Sequence, residues 1–404
     1  MAERGHRAGR GGITLGGLLC TATVAGLLWL ACGKRPVQTT AIVARAPKVP
    51  ERGAEAVTGL AHFGFTHGTV CSSDPGTLKS LLDVAHTSGT LLHVGDPAFL
   101  DPSVPLDSAL SRADRLVRSC ARHPACAGYW LGPVADTALF ARAAVIRQHL
   151  AAADRQHRAL LAMSVKGDLH TRIAHLKPDV LVFDEQGVEG GVPAANFFAH
   201  LGEMRRLALA VHLPWWGTVV EAREGDQTEL RDHFLRFQAM SLLAYGAQGI
   251  EWGLDWGLLH SWATMHGPAV SVARTLREIN DTAGAWLPIL AGTSCVAVFH
   301  SDPVPAGQER VNLEGTVYRI DGEYVTVAFF RGARRREQYL MVLNRNYMRG
   351  AKPRLFFSER VKGLAEIAPE GVAHMAVSFS SEEDGHQASI LLKAGGARLF
   401  RMVF

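Results

Sequence analysis

A chain of 404 residues is longer than one ordinary domain, so its length favours two folded units. A hydrophobic share of 48% with 20% charged residues excludes a disordered chain and indicates a sizeable core. The net charge of +4 comes from scattered Lys and Arg, and the densest basic cluster, at 331–336, contains one Gly and one Ala, as is typical of a hairpin tip. No nucleic-acid-binding motif accompanies this cluster, so we expect no nucleic-acid partner.

Residues 1–36 are predicted to be an export segment. Three arginines precede an apolar run at residues 13–31, as in an export signal, and the run is long enough to remain as a membrane anchor. The run ends at Leu30-Ala31-Cys32-Gly33, which resembles a bacterial lipobox, although Trp29 stands where Leu is usual. Lipidation of Cys32, cleavage and a retained anchor therefore stay open. In each case we expect the folded part to lie outside the cytoplasm, in the cell envelope, with membrane contact through the N-terminal segment.

Four of the six cysteines lie beyond the export segment. Cys120 and Cys126 flank a short stretch and could form a disulfide in an oxidising compartment, or they could be two small buried thiols. Their spacing fits no zinc site, and no pair of histidines has metal-ligand spacing on one helix. We therefore expect no metal and no organic cofactor.

Helices and strands are predicted to alternate from residue 51 to residue 290. A linker at 37–50 precedes them and can contain a first strand at 40–44. The predicted helices are 54–63, 74–85, 108–122, 137–156, 169–176, 194–210, 228–245 and 266–283. The predicted strands are 65–70, 90–94, 127–131, 159–165, 180–183, a strand that begins at 214 and a strand that begins at 249. Eight such repeats favour a closed (β/α)8 barrel, the TIM barrel, over an open doubly wound sheet. No Gly-x-Gly-x-x-Gly turn follows an early strand, which argues against a dinucleotide site.

The pattern changes after the last helix, and residues 291–404 are predicted to form an all-β sandwich domain. Short alternating or β-branched runs are separated by turn residues such as Asp321-Gly322 and Gly395-Gly396. The predicted strands are 294–300, 316–320, 324–330, 338–343, 354–357, 375–378, 389–392 and 399–403.

Motifs at four predicted barrel strands resemble those of bacterial glycoside hydrolases of the retaining (β/α)8 type, the β-galactosidase-like barrels. In strand order they are Gly128-Tyr129-Trp130-Leu131-Gly132, Asp179-Val180-Leu181-Val182-Phe183-Asp184, Pro214-Trp215-Trp216 and Ala244-Tyr245-Gly246-Ala247-Gln248-Gly249-Ile250. The runs 339–345 and 397–400 resemble the β-sandwich appended to such barrels. The resemblance covers residues 50–404 and implies a carbohydrate ligand and hydrolysis of O-glycosyl bonds.

The sequence departs from this family after the fourth strand, where the family carries its acid/base Glu. This chain has Gly132-Pro133-Val134-Ala135-Asp136 at that place. Glu221 falls at the end of the seventh strand, where the family has its nucleophile, and is our candidate nucleophile. The alternative is that Glu221 is a solvated loop residue. A substitute acid could come from Asp136, Glu185 or Asp255, each near the end of a predicted strand.

Further side chains at strand ends are candidates for substrate binding. Asp184 could bind a sugar hydroxyl or orient a neighbour, and tryptophans offer faces for stacking on sugar C–H surfaces. The other candidates are Trp130, Trp216, Trp252, Asp255, Trp256, His93 and Asp96. Tryptophans also pack between strands and helices, and strand-end histidines such as His67 and His93 are often structural. Glu251 lies near the start of its strand, so a buried ion-paired role is expected for it.

Two functions remain open from the sequence. The first is an exported glycoside hydrolase that acts on oligo- or polysaccharide. The second is a catalytically inactive barrel that binds carbohydrate or scaffolds an envelope assembly. Loss of the acid/base motif favours the second function, whereas Glu221 with its neighbouring tryptophans favours the first.

Overall fold

A computed structural model describes most of the chain after the predicted export segment, which lies outside the described residues. The described ranges are 40–45, 52–134, 137–164, 167–184, 188–189, 192–193, 195–220, 228–253, 268–312, 314–334, 337–368, 373–379 and 386–404. Within these ranges no helix combines the length and apolar character needed to cross a bilayer.

The N-terminal part is a closed barrel of parallel strands that alternate with helices. Its strands are β1 Ala41–Arg45, β2 His67–Cys71, β3 Leu91–Gly95, β4 Cys126–Val134, β5 Arg158–Met163, β6 Leu181–Phe183, β9 Trp215–Val220 and β10 Gly249–Gly253, with the short pair β7 Val188–Glu189 and β8 Val192–Pro193 after β6. Its helices are α1 Gly53–His62, α2 Pro75–Ser88, α3 Leu106–Cys120, α4 Thr137–Ala153, α5 Leu169–Leu176, α6 Phe197–Val211, α7 Thr228–Ala244 and α8 Pro268–Ala291. The strand order around the barrel is β1-β10-β9-β6-β5-β4-β3-β2, which confirms the predicted (β/α)8 barrel. The strand predicted inside the linker is present as β1, so the barrel begins before residue 51.

Local sequence signals place these elements. The Asp74 side chain accepts hydrogen bonds from the backbone N–H groups of Gly76 and Thr77, as an N-cap does, and Pro75 follows it. The helix ends before Gly89, which has a left-handed φ of 74°. In α7, Phe234 and Phe237 lie three residues apart and both are buried in the core between helices and strands.

Successive residues of each barrel strand point alternately to the helices and to the barrel interior. In β9, Trp215 and Val219 belong to the core shared with the helices, so Trp216 and Thr218 face the interior. Gly249 of the adjacent strand leaves room for this indole, because a Cβ there would lie 2.4 Å from Cδ1 of Trp216. The side chains of the strands therefore form two packed layers, one inside the barrel and one between the strands and the helices.

A buried polar cluster fixes the N-terminal end of β5. The hydroxyl of Tyr129 donates to Oδ2 of Asp154 over 2.6 Å, and Nδ1 of His157 lies 2.7 Å from the same oxygen. Burial alone would raise the pKa of Asp154, but hydrogen bonds from Tyr129 and His157 outweigh burial and lower that pKa.

The C-terminal part is an all-β region, as predicted. Its described strands are β11 Thr293–His300, β12 Val317–Asp321, β13 Val325–Gly332, β14 Gln338–Asn344, β15 Arg354–Phe357, β16 Gly363–Ile367, β17 Ala373–Ser378, β18 His386–Ser389 and β19 Ala397–Val403. In the described residues they form a six-stranded sheet in the order β11-β13-β14-β19-β16-β17 and a three-stranded sheet in the order β12-β15-β18. Strand β16 was not predicted, because its Ala and Glu have low strand propensity, and β18 begins three residues before its predicted start. The described part of the basic cluster, residues 331–334, follows the pairing of Arg331 in β13 with Gln338 in β14, as expected for a hairpin.

The six-stranded sheet is buried on both faces. Val325 and Val327 of β13 pack in the core that it shares with the three-stranded sheet, which confirms a sandwich. Ala328 and Phe330 of the same strand instead belong to the core of the barrel and its helices. The indole Nε1 of Trp286, in α8, adds a 3.0 Å hydrogen bond to the backbone oxygen of Ile367 in β16.

Cys120 and Cys126 are both buried and form no disulfide, which favours two buried thiols over the disulfide that their spacing also allowed.

Candidate active site at the carboxyl ends of the barrel strands

Four polar side chains converge where neighbouring barrel strands end. Arg45 is the last residue of β1, Asp184 follows β6, and Thr218 and Glu251 lie in β9 and β10. The strands are neighbours in the order β1-β10-β9-β6, and the register pairs Glu251 with both Val43 of β1 and Thr218. This set is called the Arg45 cluster below. In TIM barrels the carboxyl ends of the strands form the active face, so the Arg45 cluster lies where catalysis takes place in such folds.

The distances within the Arg45 cluster show one cation between two carboxyl groups. Nη2 of Arg45 donates to Oδ1 of Asp184 over 3.0 Å, and Nη1 lies 3.3 Å from Oε2 of Glu251. The hydroxyl oxygen of Thr218 lies 3.0 Å from the same Oε2 and 3.0 Å from the backbone oxygen of Phe183. Arg45 therefore links β1 to β6 and β10, and Thr218 links β9 to the same two strands.

Burial strengthens these contacts and shifts the pKa values of Glu251 and Arg45. The side chain of Glu251 is 2% exposed, whereas those of Arg45 and Asp184 are 14% and 17% exposed. Burial raises the pKa of Glu251 to about 6, with Arg45 and Thr218 lowering it and Asp184 adding to the rise. Burial alone would lower the pKa of Arg45, but Glu251 and Asp184 together raise it. The role expected for Glu251, a buried ion-paired carboxyl, is confirmed.

Aromatic rings fill the barrel interior beside this cluster. The rings of His67 and His93 stack with centroids 5.4 Å apart, and Trp216 meets His93 edge-on at 6.3 Å. Burial lowers the pKa of His67 to about 4, and burial together with the proximity of His67 and His157 lowers the pKa of His93 well below its ordinary value. Both imidazoles are therefore neutral at pH 7. Nδ1 of His93 is buried and makes no hydrogen bond within the described part of the chain.

The structure places the other predicted binding residues in different surroundings. Trp130 and Trp216 are each 3% exposed and alternate with core residues, so both lie inside the barrel. Asp96 is 5% exposed, caps the turn at 97–99 through the N–H of Ala98, and lies 3.4 Å from Nη1 of Arg112. Asp96 therefore has structural partners for both of its oxygens.

Trp252 faces away from the barrel interior. Glu251 points inward, so its neighbour Trp252 points to the helices, where it is fully buried in the core. The structure does not bring Trp252 to the Arg45 cluster.

Five candidates lie outside the described residues: Glu221, Glu185, Asp136, Asp255 and Trp256. In the sequence Glu221 follows the last residue of β9, and Glu185 follows Asp184 directly. Their roles stay predictions.

Arg45 and Thr218 were not recognised in the sequence. Arg45 ends a strand predicted inside a linker, and Thr218 is one hydroxyl within an apolar run. Arg45 could have been recognised only from its place as a basic residue at the carboxyl end of the possible first strand.

A small cavity of about 10 Å³ is lined by Phe183, Thr218 and Gln238 beside the Arg45 cluster, and two larger cavities lie away from this face. One of about 450 Å³ lies at the amino ends of β9 and β10, beside Arg205 and Gln248, and one of about 550 Å³ lies between α7, α8 and the β-domain. Among the described residues no group of three or more His, Cys, Asp or Glu could hold a metal ion.

Comparisons with known proteins find no matching family model and no matching curated protein. Solved structures do match. One is described as a glycoside hydrolase, with 12% identity, a TM-score of 0.57, and coverage of 90% of this chain and 92% of that chain. The chain has the fold of a glycoside hydrolase. A second match is a family 27 β-L-arabinopyranosidase from Geobacillus stearothermophilus in complex with arabinose, with 10% identity, a TM-score of 0.54, and coverage of 91% and 97%. The wild-type form of that protein matches with 9% identity and a TM-score of 0.53 over the same shares. The likeness spans barrel and β-domain together, so the resemblance inferred from strand motifs is confirmed at the level of the fold.

Proposed function

We propose that this protein is a glycoside hydrolase that acts on oligo- or polysaccharide at the carboxyl face of its barrel. The observation that carries the proposal is the Arg45 cluster, in which charged and hydroxyl groups from four neighbouring strands converge at that face. The shared fold with glycoside hydrolases, one of them solved with arabinose, supports a saccharide as ligand.

Hydrolysis of a glycosidic bond needs two carboxyl groups, about 5–5.5 Å apart for retention or about 6.5–9.5 Å apart for inversion. In our proposal Glu221 is the nucleophile, because it directly follows β9 in the sequence. Glu185 or Asp136 donates the proton to the leaving oxygen. Asp184, held by Arg45, accepts a hydrogen bond from a sugar hydroxyl, and Trp216, Trp130, Asp255 and Trp256 are the proposed remaining contacts.

The test is hydrolysis of a panel of aryl glycosides by the full chain, because a chain that starts at residue 50 would lack β1. Glu221→Gln is expected to lower kcat by roughly 10²–10⁴-fold. Glu224→Gln, in the same stretch of sequence, is the matched control and is expected to keep activity. Equal activity in the wild type and Glu221→Gln would remove Glu221 from the mechanism.

A second function, saccharide binding without turnover, is favoured by one observation. At the end of β4, where the resembled family has its acid/base Glu, the chain has Val134, which is buried at 2% exposure. Binding of an oligosaccharide in calorimetry, with no reducing ends released on prolonged incubation, would favour this function over hydrolysis.

We also propose that the protein is exported to the cell envelope and contacts the membrane through residues 1–36. The arginines and apolar run of this segment support the proposal. Cell fractionation with mass analysis of the mature N-terminus tests it, and Cys32→Ala is expected to abolish a lipid-modified form. A cytoplasmic protein with an intact N-terminus would contradict export.

A further inference from the structure

The hydroxyl of Thr218 has one proton and two acceptors within reach. It lies 3.0 Å from the backbone oxygen of Phe183 and 3.0 Å from Oε2 of Glu251. A backbone oxygen can only accept, so when Thr218 donates to Phe183 its oxygen is free to accept from Glu251. The Thr218–Phe183 and Thr218–Glu251 contacts can therefore both be hydrogen bonds at the same time only when the Glu251 carboxyl carries a proton to donate.

The same carboxyl group of Glu251 is also the second anion beside Arg45. Nη1 of Arg45 lies 3.3 Å from Oε2 of Glu251 and makes no hydrogen bond within the described residues, whereas Nη2 donates to Asp184. Arg45 is therefore bound firmly to Asp184 and only by charge to Glu251.

We propose that Glu251 is a positioning residue of the saccharide site, which acts through Arg45 on Asp184 and whose proton determines the net charge that a ligand meets there. The proposal rests on the proposed function, since it assigns a ligand to the Arg45 cluster. It is independent of whether Glu221 is the nucleophile.

The cluster has two states. With the proton on Glu251, this carboxyl donates to Thr218, Thr218 donates to Phe183, and Arg45 neutralises Asp184, so the three ionisable groups sum to zero charge. When the proton leaves to solvent, the Thr218 hydroxyl is shared between two acceptors, Arg45 is shared between two carboxylates, and the sum is −1.

The surroundings of Glu251 support a change of state in the mildly acidic range. The groups that face it are Arg45 from β1, Asp184 after β6 and Thr218 from β9. Burial raises its pKa to about 6, Arg45 offsets only part of that rise, and the charge of Asp184 adds to it.

This change of charge predicts which saccharides are sensitive to pH. An anionic saccharide, such as a uronic-acid oligosaccharide, meets a neutral cluster below pH 6 and a negative one above it. Its affinity is therefore expected to fall by roughly fivefold or more from pH 5 to pH 7, within the usual range of coupling between two sites. A neutral saccharide of the same length is expected to change much less.

Carbon-13 NMR of the full chain with labelled glutamate side chains tests the proton directly. The Glu251 carboxyl resonance, assigned by its loss in Glu251→Gln, is expected to titrate with a midpoint near pH 6. The Arg45 guanidinium nitrogen resonances, assigned by their loss in Arg45→Lys, are expected to shift with the same midpoint. Thr218→Val is expected to shift that midpoint because it removes the hydroxyl that contacts Oε2 of Glu251, and Thr218→Ser is expected to restore it. A Glu251 midpoint at or below 4.5, or Arg45 resonances that do not follow Glu251, would overturn the proposal.

Calorimetry with the two oligosaccharides tests the effect on binding. Glu251→Gln is expected to flatten the pH dependence for the anionic saccharide, whereas Glu323→Gln, at an exposed turn, is expected to keep it. The same pH dependence in Glu251→Gln and wild type would overturn the proposed role of Glu251 even if both bind saccharide. If neither saccharide binds, the proposed function fails, and the NMR titration still decides the linkage between Glu251 and Arg45.

Discussion

Replacing Arg45 by methionine removes the cation of the Arg45 cluster and nearly preserves side-chain length. Glu251, at 2% side-chain exposure, and Asp184 then face each other without a counterion. Breaking a buried ion pair from one side typically costs about 3–5 kcal/mol, so we expect Arg45→Met to lower the free energy of unfolding by about that amount at pH 7.

The cost is expected to depend on pH. The pKa of Glu251 in the folded protein, about 6, exceeds its ordinary value of 4.5, so its contribution to stability is complete below pH 4.5 and is lost as pH rises through 6. Loss of Arg45 raises this pKa further, so the variant binds about half a proton more than wild type at pH 6 and almost one proton more at pH 7. The cost of Arg45→Met is therefore expected to grow by about 1 kcal/mol across that unit of pH.

Urea denaturation of both proteins at a series of pH values measures these quantities. Arg310→Met is the control, since Arg310 is paired with Asp302 at the surface, with side-chain exposures of 64% and 58%. This control is expected to cost about 0.2–1 kcal/mol. A cost for Arg45→Met as small as the control's, and unchanged between pH 5 and pH 7, would refute the electrostatic reasoning.

Three further changes test the fold. Trp286→Phe removes the 3.0 Å hydrogen bond to the backbone oxygen of Ile367 and is expected to cost about 1–3 kcal/mol in urea denaturation; no loss of stability would show that the bond is replaced. In Gly95→Ala the new Cβ would lie 2.3 Å from the backbone oxygen of Trp130, so a loss of about 1–3 kcal/mol is expected by thermal melting, and an unchanged melting temperature would contradict this packing. Asp154→Asn is expected to lower the free energy of unfolding more at pH 7 than at pH 3. Folding lowers the pKa of this carboxyl, so its ionised form stabilises the fold above the ordinary pKa of 3.8, and this stabilisation is lost as pH falls. An equal cost in urea denaturation at both pH values would show that the ionisation of Asp154 does not matter.

The fold was predictable because the apolar period changes wherever an element changes. Helix Leu169–Leu176 and strand Arg354–Phe357 lie at their predicted positions. Strand Gly363–Ile367 was missed because its stability comes from pairing with β17 and β19 rather than from its own composition.

The site was predictable only in part because it depends on which face each strand residue occupies. Trp216 and Trp252 belong to adjacent strands, yet Trp216 lies inside the barrel and Trp252 among the helices. Asp184 was recognised as a carboxyl at a strand end, and Glu251 was expected to be a buried, ion-paired carboxyl near the start of its strand. Their shared partner, Arg45, is 139 residues from Asp184 in sequence, and only closure of the barrel brings them together.

The six-stranded sheet has consequences for how the protein unfolds. Its strand β13 contributes Val327 to one core and Phe330 to the other, so separating the β-domain from the barrel would expose apolar surface on both fragments. A chain cut near residue 290 is therefore expected to aggregate rather than yield a free barrel. Barrel and β-domain are expected to melt in a single cooperative transition, and any ligand held by the barrel would protect the β-domain from proteolysis as well.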